Sequence, residues 1–446
     1  MRALSSFCAA AALLLGAASA SAQEALVIRG GTVHPVSGPA YVGTVVVQNG
    51  EIAAAGPDVA VPAGARVIDA SGLHVYPGLF DAASALGLTE IGAVDVTNDR
   101  DELGDFTPHL QARTAVHVES ELIPVARANG ITHTMAIPGG GGGFRGGSAA
   151  GFAGQGSVFN LDGWTIEQMD IDRGAVMVMN WPPIRTREFD RRTFTVRNRP
   201  YSEAKKEHDE AVQRLAEWLD AAREYDRAVS GGAEIRPNLR LAALARVTRG
   251  EIPVLVRVDE ARAIRDVVAF AEEQGIRLIL AGAAQGYKVA DLLAKKNIPV
   301  ILGPTQILPS GPDAPYDEPY ANPGKLHAAG VKIAFATFNA SDSRTLPYEA
   351  AMSIPYGLPH DVALRAVTIN GAEMLGLGDR LGTIEPGKIA NLLVTDGDPL
   401  EITTQIEHLI IAGREVNTMN KHRELYEKYR ARPIVTDDDV VSPISP

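Results

Sequence analysis

The chain has 446 residues and a formal net charge of −12, with 54 acidic and 42 basic side chains. This acidic balance argues against nonspecific binding to nucleic acids, because phosphate contacts need clustered lysine and arginine side chains. The length suits one large domain with a smaller one beside it. Beyond residue 22, no uninterrupted apolar run approaches the roughly 18 residues of a membrane-spanning helix, so no membrane span is expected there.

The first segment has the composition of a secretory signal peptide, which we assign to residues 1–22. A basic residue precedes an apolar stretch over residues 7–15, and small residues at 20–22 form a cleavage signal. Cys8 is the single cysteine of the chain and lies within this segment, so the mature protein is expected to lack disulfides and thiolate metal ligands. The sequence predicts an exported protein, periplasmic or secreted, that begins at Gln23.

Strand patterns at both ends of the mature chain predict one shared β-structure. Apolar runs at 44–47 and 51–54 flank Asn49-Gly50, and this dipeptide between apolar runs is a strong hairpin signal. Residues 382–414 show turn and strand patterns again. Neither group has enough strands to be stable alone. We therefore predict a small β-sandwich built from residues 24–75 and 381–416, followed by a C-terminal tail of residues 417–446.

Between these ends, apolar strand patterns alternate with helical patterns, which is typical of an α/β protein with βα units. We predict a (β/α)8 barrel of the TIM type over residues 76–380. Candidate strands are 131–137, 253–258, 277–280, 299–302 and 331–337, and candidate helices are 202–225, 260–274, 288–296 and 359–375.

Two irregular inserts interrupt this alternation. Residues 139–156 are rich in glycine and follow a candidate strand, which places them among the loops where barrel proteins have their active sites. The conformation of this segment stays open between a mobile lid and an ordered wall. The second insert, residues 304–323, is rich in proline, and a long irregular loop in a compact domain is usually functional.

The sequence YPGLFDAASALG at residues 76–87 resembles the first metal-binding motif of the amidohydrolase superfamily, P-G-x-x-D-x-H-x-H. Pro77, Gly78 and Asp81 match this motif. Alternate residues of a strand point the same way, so the two histidines of the motif would converge on one metal ion. Here these positions hold Ala83 and Ala85, whose methyl groups cannot bind a metal.

Three further segments resemble this superfamily, and most closely its imidazolonepropionase-like group. Residues 253–259 resemble a strand motif P-V-x-V-H-A-H in which a histidine binds metal, and Arg257 and Asp259 stand at its histidine positions. Gly282 replaces the histidine of the next strand motif, and Phe338 replaces the aspartate of a final Gly-Thr-Asp motif. The C-terminal pattern of the family is retained. The resemblance therefore implies a degenerate member that lacks the metal ligands, and we expect no metal and no other cofactor.

Several polar side chains are expected on or just beyond the strand ends, where a barrel positions its functional groups. They are Asp81, Arg257, Asp259, Asn339, Asp342 and Arg344. Arg257 is expected either to pair with a nearby carboxylate that fills the metal position or to bind a carboxylate ligand. A metal-free acid or base at Asp81 or Asp259 is a third alternative. No catalytic residue is assigned.

These residues leave three classes of function open. The preferred hypothesis is a noncatalytic protein that binds a small molecule with a carboxylate, or that acts as a partner subunit. Such a subunit would form a homo-oligomer or a hetero-oligomer with an intact amidohydrolase. The alternatives are a hydrolase of carbon–nitrogen bonds in non-peptide or dipeptide amides, as the resemblance implies, and a metal-free enzyme of unknown reaction.

Overall fold

The computed structural model describes residues 25–102, 104, 106–139, 150–190 and 193–432. The predicted signal peptide, most of the first insert and the end of the predicted tail lie outside these residues. Within them, none of the helices combines the length and the apolar character needed to cross a membrane.

Both ends of the described chain contribute strands to one eight-stranded sheet, in the order β18-β17-β16-β5-β1-β2-β3 with β4 paired to β1. The Asn49-Gly50 turn joins β2 to β3 as expected, and β5 pairs antiparallel with β16 through Tyr76 and Leu393. This additional sheet domain agrees with the predicted fold class. Its strands are β1 Leu26–Val33, β2 Tyr41–Gln48, β3 Glu51–Gly56, β4 Arg66–Asp69, β5 His74–Pro77, β16 Leu392–Thr395, β17 Ile406–Ile411 and β18 Arg414–Val416.

A second eight-stranded sheet forms the barrel and follows chain order from β6 to β15, with the hairpin β10-β11 outside it. The sheet closes where the backbone N–H of Phe338, just after β15, donates to the carbonyl oxygen of Ala83 in β6 at 2.9 Å. The predicted TIM-like barrel is therefore confirmed. The strands are β6 Leu79–Ser84, β7 Ile131–Ala136, β8 Gly151–Asn160, β9 Asp170–Asn180, β10 Arg187–Asp190, β11 Thr195–Asn198, β12 Val254–Val258, β13 Leu278–Gly282, β14 Val300–Leu302 and β15 Ile333–Phe335.

One barrel strand departs from the expected parallel arrangement. Strand β8 is antiparallel to both β7 and β9. It includes Gly151 to Gly156, so the end of the first insert is a barrel strand and not an irregular loop. As a result, the end of β8 lies at the amino-terminal side of the parallel strands.

The helices cover the outside of the barrel. Helix α5 buries Ile264, Val267 and Val268 on one face, the spacing expected of an amphipathic helix. The second insert was expected to be irregular to residue 323, but helix α7 begins within it, at Glu318. The predicted C-terminal tail contains a helix, α11. The helices are α1 Leu122–Arg127, α2 Ile166–Met169, α3 Tyr201–Ser230, α4 Leu239–Thr248, α5 Ala261–Glu273, α6 Ala290–Lys295, α7 Glu318–Ala328, α8 Leu346–Ala351, α9 His360–Ala366, α10 Ile369–Met374 and α11 Lys421–Arg430.

Apolar side chains fill the inside of the barrel. Val178, Leu255 and Ile279 occupy paired positions on neighbouring strands and belong to one buried cluster with Ile301 and Ala334. The barrel is thus a packed core, and a ligand has access only to its ends. The carboxyl ends of the parallel strands form the end that we call the mouth.

Candidate functional site

The end of β6 carries no metal-binding side chain. Ala83 and Ala85 stand at the two histidine positions of the family motif, and their exposed fractions are 0% and 1%. The carbonyl oxygen of Ala83 accepts the hydrogen bond that closes the barrel. These two residues therefore contribute packing and backbone pairing at the mouth.

Arg257 lies at the mouth on the same face of β12 as Leu255, which points into the barrel. It is paired in register with Ala281 on one side and Asn180 on the other. The guanidinium carbon is 5.2 Å from the centre of the Phe338 ring, a cation–π distance. Burial lowers the pKa of Arg257, while Asp259 and Asp101 raise it. Arg257 and Phe338, which both align with ligand positions of the family motifs, therefore contact each other.

Gly282 has no room for a side chain. Its φ is +86°, and a Cβ atom built on it would lie 2.5 Å from Oδ1 of Asp259. The same carboxylate oxygen accepts a hydrogen bond from the backbone N–H of Ala284 at 3.3 Å. Asp259 therefore lies against the backbone of Gly282, where the family motif has a histidine.

Sequence reasoning missed Arg100, which lies in an acidic run that carries no motif. Its Nη2 donates to the carbonyl oxygen of Gly139 at 2.9 Å, while its buried Nε has no hydrogen-bond partner. Burial lowers the pKa of Arg100, and the charge of Arg257 lowers it further. Partial desolvation raises the pKa of the neighbouring Asp101, and Arg100 and Arg257 oppose that rise. The mouth thus combines two guanidinium groups with Asp101 and Asp259.

Asp81 is fully buried, with an exposed fraction of 0%. Its Oδ1 accepts a hydrogen bond from the backbone N–H of Thr337 at 3.1 Å, and its Oδ2 is 2.5 Å from the hydroxyl of the same residue. Burial raises the pKa of Asp81 to about 7, although the hydrogen bonds from Thr337 oppose this shift. Such a pKa would suit a general base, but both oxygens are engaged and no surface is open to a substrate.

The other polar residues expected at the site form local contacts after β15. The side-chain oxygen of Asn339 accepts a hydrogen bond from the backbone N–H of Ser341 at 2.8 Å. The backbone carbonyl oxygen of Asp342 accepts a hydrogen bond from the backbone N–H of Thr345 at 2.8 Å. The guanidinium group of Arg344 donates to the carbonyl oxygen of Ser341. These bonds order the turn itself and do not connect it to Arg257.

The described residues at the mouth do not fit a metal ion. Among the described residues, no group of three or more histidine, cysteine, aspartate or glutamate side chains is arranged to hold one. Catalytic zinc sites usually have about three protein ligands. Ala83, Ala85 and Gly282 offer no lone pairs, and Arg257 brings a positive charge to the same region.

The chain is similar in sequence to known proteins. The amidohydrolase family model matches residues 261–421. The chain is 26% identical over 391 residues to the amidohydrolase tasK of Hapsidospora irregularis, a match that covers 81% of this chain and 38% of that protein. It is 38% identical over 84 residues to an imidazolonepropionase of Thermoanaerobacter pseudethanolicus, which covers 18% of this chain and 20% of that enzyme.

The structure resembles solved structures as well. The crystal structure of an amidohydrolase from Thermotoga maritima superposes with a TM-score of 0.74 and 26% identity, covering 88% of this chain and 99% of that one. The chain spans only 38% of the length of tasK. The comparisons therefore concern ancestry and fold, and they assign no reaction to this chain.

Proposed function

The chain belongs to the amidohydrolase superfamily, and on this premise we propose that it is a noncatalytic member that binds a small molecule with a carboxylate group. The observation that carries the proposal is the position of Arg257. Its guanidinium group lies on the inner face of the barrel at the mouth, against Phe338. Both residues stand where the superfamily motifs have metal ligands.

A carboxylate suits this position because the planar guanidinium group can donate two parallel hydrogen bonds to it. Arg100 adds a second guanidinium group. It lies close enough to Arg257 that the charge of Arg257 lowers the pKa of Arg100. Its buried Nε has no hydrogen-bond partner, and an unpaired buried donor costs about 1–3 kcal/mol. A bound anion would offset the repulsion between the two arginines.

Asp101 and Asp259 balance part of this charge in the free protein. Both raise the pKa of Arg257 and therefore stabilise its charged form. A carboxylate ligand would have to compete with them. Modest affinity is therefore expected, together with a preference for ligands that also contact the apolar ring of Phe338.

Hydrolysis of carbon–nitrogen bonds is the alternative suggested by the names of the similar proteins. In a metal-dependent hydrolase the metal ion activates water and polarises the carbonyl group. Among the described residues, no group of side chains is arranged to hold that ion, and Asp81, a carboxyl with a pKa near neutrality, has an exposed fraction of 0%. These observations favour binding over catalysis.

The test is calorimetric titration of the full mature protein with N-acetylglycine and with its uncharged analogue N-acetylglycinamide. We expect binding of the acid only, weakened about tenfold or more in Arg257→Met, since a charged hydrogen bond contributes about 1.5–3 kcal/mol. Arg236→Met is the matched control, because Arg236 is an exposed residue of the α3–α4 loop. Equal binding of acid and amide, or hydrolysis of the amide bond, would contradict the proposal.

A further inference from the structure

A second cleft lies at the opposite end of the barrel, next to the sheet domain. It has a volume of about 700 Å³ and is bounded by α1, the segment after β8, and β18. A narrower pocket of about 130 Å³ adjoins it and adds the apolar side chains of Ile123, Leu161 and Met169. The antiparallel β8 brings its own end to this side, so the cleft is separate from the mouth.

Trp164 forms an exposed wall of this cleft. Its exposed fraction is 84%, whereas that of Trp181 is 9%. The backbone N–H of Trp164 donates to Oε1 of Gln168 at 2.9 Å, which fixes the loop that carries the indole ring. A large aromatic ring exposed at the edge of a cleft offers a surface on which a planar or apolar group can pack.

Two arginines and two carboxylates line the same cleft. Arg127 donates from Nη1 to Oδ1 of Asp162 at 3.4 Å, and Arg414 donates from Nη2 to Oδ2 of the same residue at 2.8 Å. Arg127 also donates to the carbonyl oxygen of Leu161 at 3.2 Å, while its buried Nε has no hydrogen-bond partner. The fourth charged group is the exposed Glu119.

The charges of the cleft therefore sum to zero, with both arginines paired to the one carboxylate of Asp162. A simple anion would meet Asp162 and Glu119, and a simple cation would meet Arg127 and Arg414. A zwitterion satisfies both signs at once, since each of its charged ends can lie beside the opposite charge. The adjoining pocket, which has both polar and apolar lining, and the exposed Trp164 add a place for a ring.

From these groups we infer that the cleft binds an aromatic zwitterion of the type of a free aromatic α-amino acid. The carboxylate of the ligand lies against Arg414 and Arg127, which it shares with Asp162, and its ammonium group lies against Glu119. Its ring packs on Trp164 or enters the adjoining pocket beside Ile123 and Met169. Because Arg414 belongs to the sheet domain and Arg127 to the barrel, the ligand contacts both domains.

The test is calorimetric titration with L-phenylalanine and three analogues that each lack one feature. N-acetyl-L-phenylalanine lacks the ammonium group, L-phenylalaninamide lacks the carboxylate, and L-alanine lacks the ring. We expect L-phenylalanine to bind, and we expect the affinity of each analogue to be lower by about tenfold or more. This is the loss expected from one charged or aromatic contact. No binding of L-phenylalanine, or equal binding of the analogues, would overturn the inference.

Single-residue variants show whether L-phenylalanine binds in the cleft. Trp164→Ala and Arg414→Met should each weaken this binding about tenfold, whereas Arg236→Met should not. Glu119→Gln should narrow the preference for L-phenylalanine over its N-acetyl form, a change that loss of structure would not produce. If Arg257→Met abolishes binding while Arg414→Met leaves it intact, the ligand lies at the mouth and the inference is wrong. The same titrations in Arg257→Met remove carboxylate binding at the mouth, so that binding in the cleft is measured separately.

Discussion

Hydrogen bonds between the carboxyl group of Asp81 and Thr337 hold the barrel closed. The two residues belong to the first barrel strand and to the segment after the last one, and both oxygens of Asp81 contact Thr337, at 3.1 Å and 2.5 Å. The bond from Phe338 N–H to the Ala83 carbonyl oxygen follows directly along the same seam. A residue that the superfamily motif places beside its metal ligands therefore stabilises the seam in this chain.

Replacing Asp81 with asparagine should change how stability depends on pH. Burial raises the pKa of Asp81 to about 7 in the folded protein, from an ordinary value of 3.8. Between these values the folded state keeps a proton that the unfolded state has lost, so this group makes stability fall as pH rises, by about 1.4 kcal/mol per unit. In Asp81→Asn, which imitates the protonated acid, this fall should disappear.

The measurement is the free energy of unfolding by urea at several pH values within that window. Asp342→Asn is the control, because Asp342 is exposed and its backbone carbonyl, not its carboxylate, accepts the bond in the turn. An unchanged pH slope in Asp81→Asn would mean that Asp81 is ionised in the folded protein.

His133 should produce the opposite pH dependence. Burial lowers its pKa to about 3 from 6.5, and its ring stacks on Phe80 with 4.6 Å between centroids. As pH falls from 6.5 towards 3, His133 binds a proton in the unfolded chain but stays neutral in the folded protein, so stability is lost. His133→Phe keeps the stacking and should remove this loss, by about 1.4 kcal/mol per pH unit. Unfolding curves compared with those of His422→Gln, an exposed histidine, check this; equal slopes would refute it.

A side chain at position 282 should conflict with Asp259. Gly282 and Gly330 share a φ of +86°, but only at Gly282 would a Cβ atom meet another atom, at 2.5 Å from Oδ1 of Asp259. Both glycine-to-alanine variants should lose about 1–2 kcal/mol of stability through the backbone conformation. Gly282→Ala should lose more stability than Gly330→Ala, because its new Cβ atom meets Asp259. Adding Asp259→Ala should remove this additional loss. Equal losses in the two single variants would show that Asp259 moves aside without cost.

Restoring only the first two histidines should not restore a metal site. Ala83→His/Ala85→His still falls short of about three protein ligands, and Arg257 would repel a cation by about 4 kcal/mol per unit charge at 4 Å and an effective dielectric of about 20. Adding Arg257→His and Phe338→Asp should permit binding. Metal content after dialysis decides: one metal ion per wild-type chain would overturn the noncatalytic hypothesis, and an empty quadruple variant would refute the assignment of these ligand positions.

The sequence by itself predicted the fold class, and the absence of metal ligands at the motif positions stays a prediction. Motif order identified the barrel, and the Asn49-Gly50 turn and the strand patterns near both ends predicted the additional sheet. These predictions succeeded because strand alternation, turn type and side-chain chemistry are local properties of the chain. The identity of Ala83 or Arg257 is likewise independent of its surroundings.

Tertiary structure decided what lies next to these residues. The antiparallel direction of β8, the position of Arg100 near Arg257, and the engagement of Asp81 by Thr337 depend on contacts between residues far apart in the chain. Burial and charge neighbours, which set the pKa of Asp81 and the free space at Gly282, arise only when those segments pack together. The sequence therefore determined which side chains are present, and the packing of distant segments determined which of them a ligand can reach.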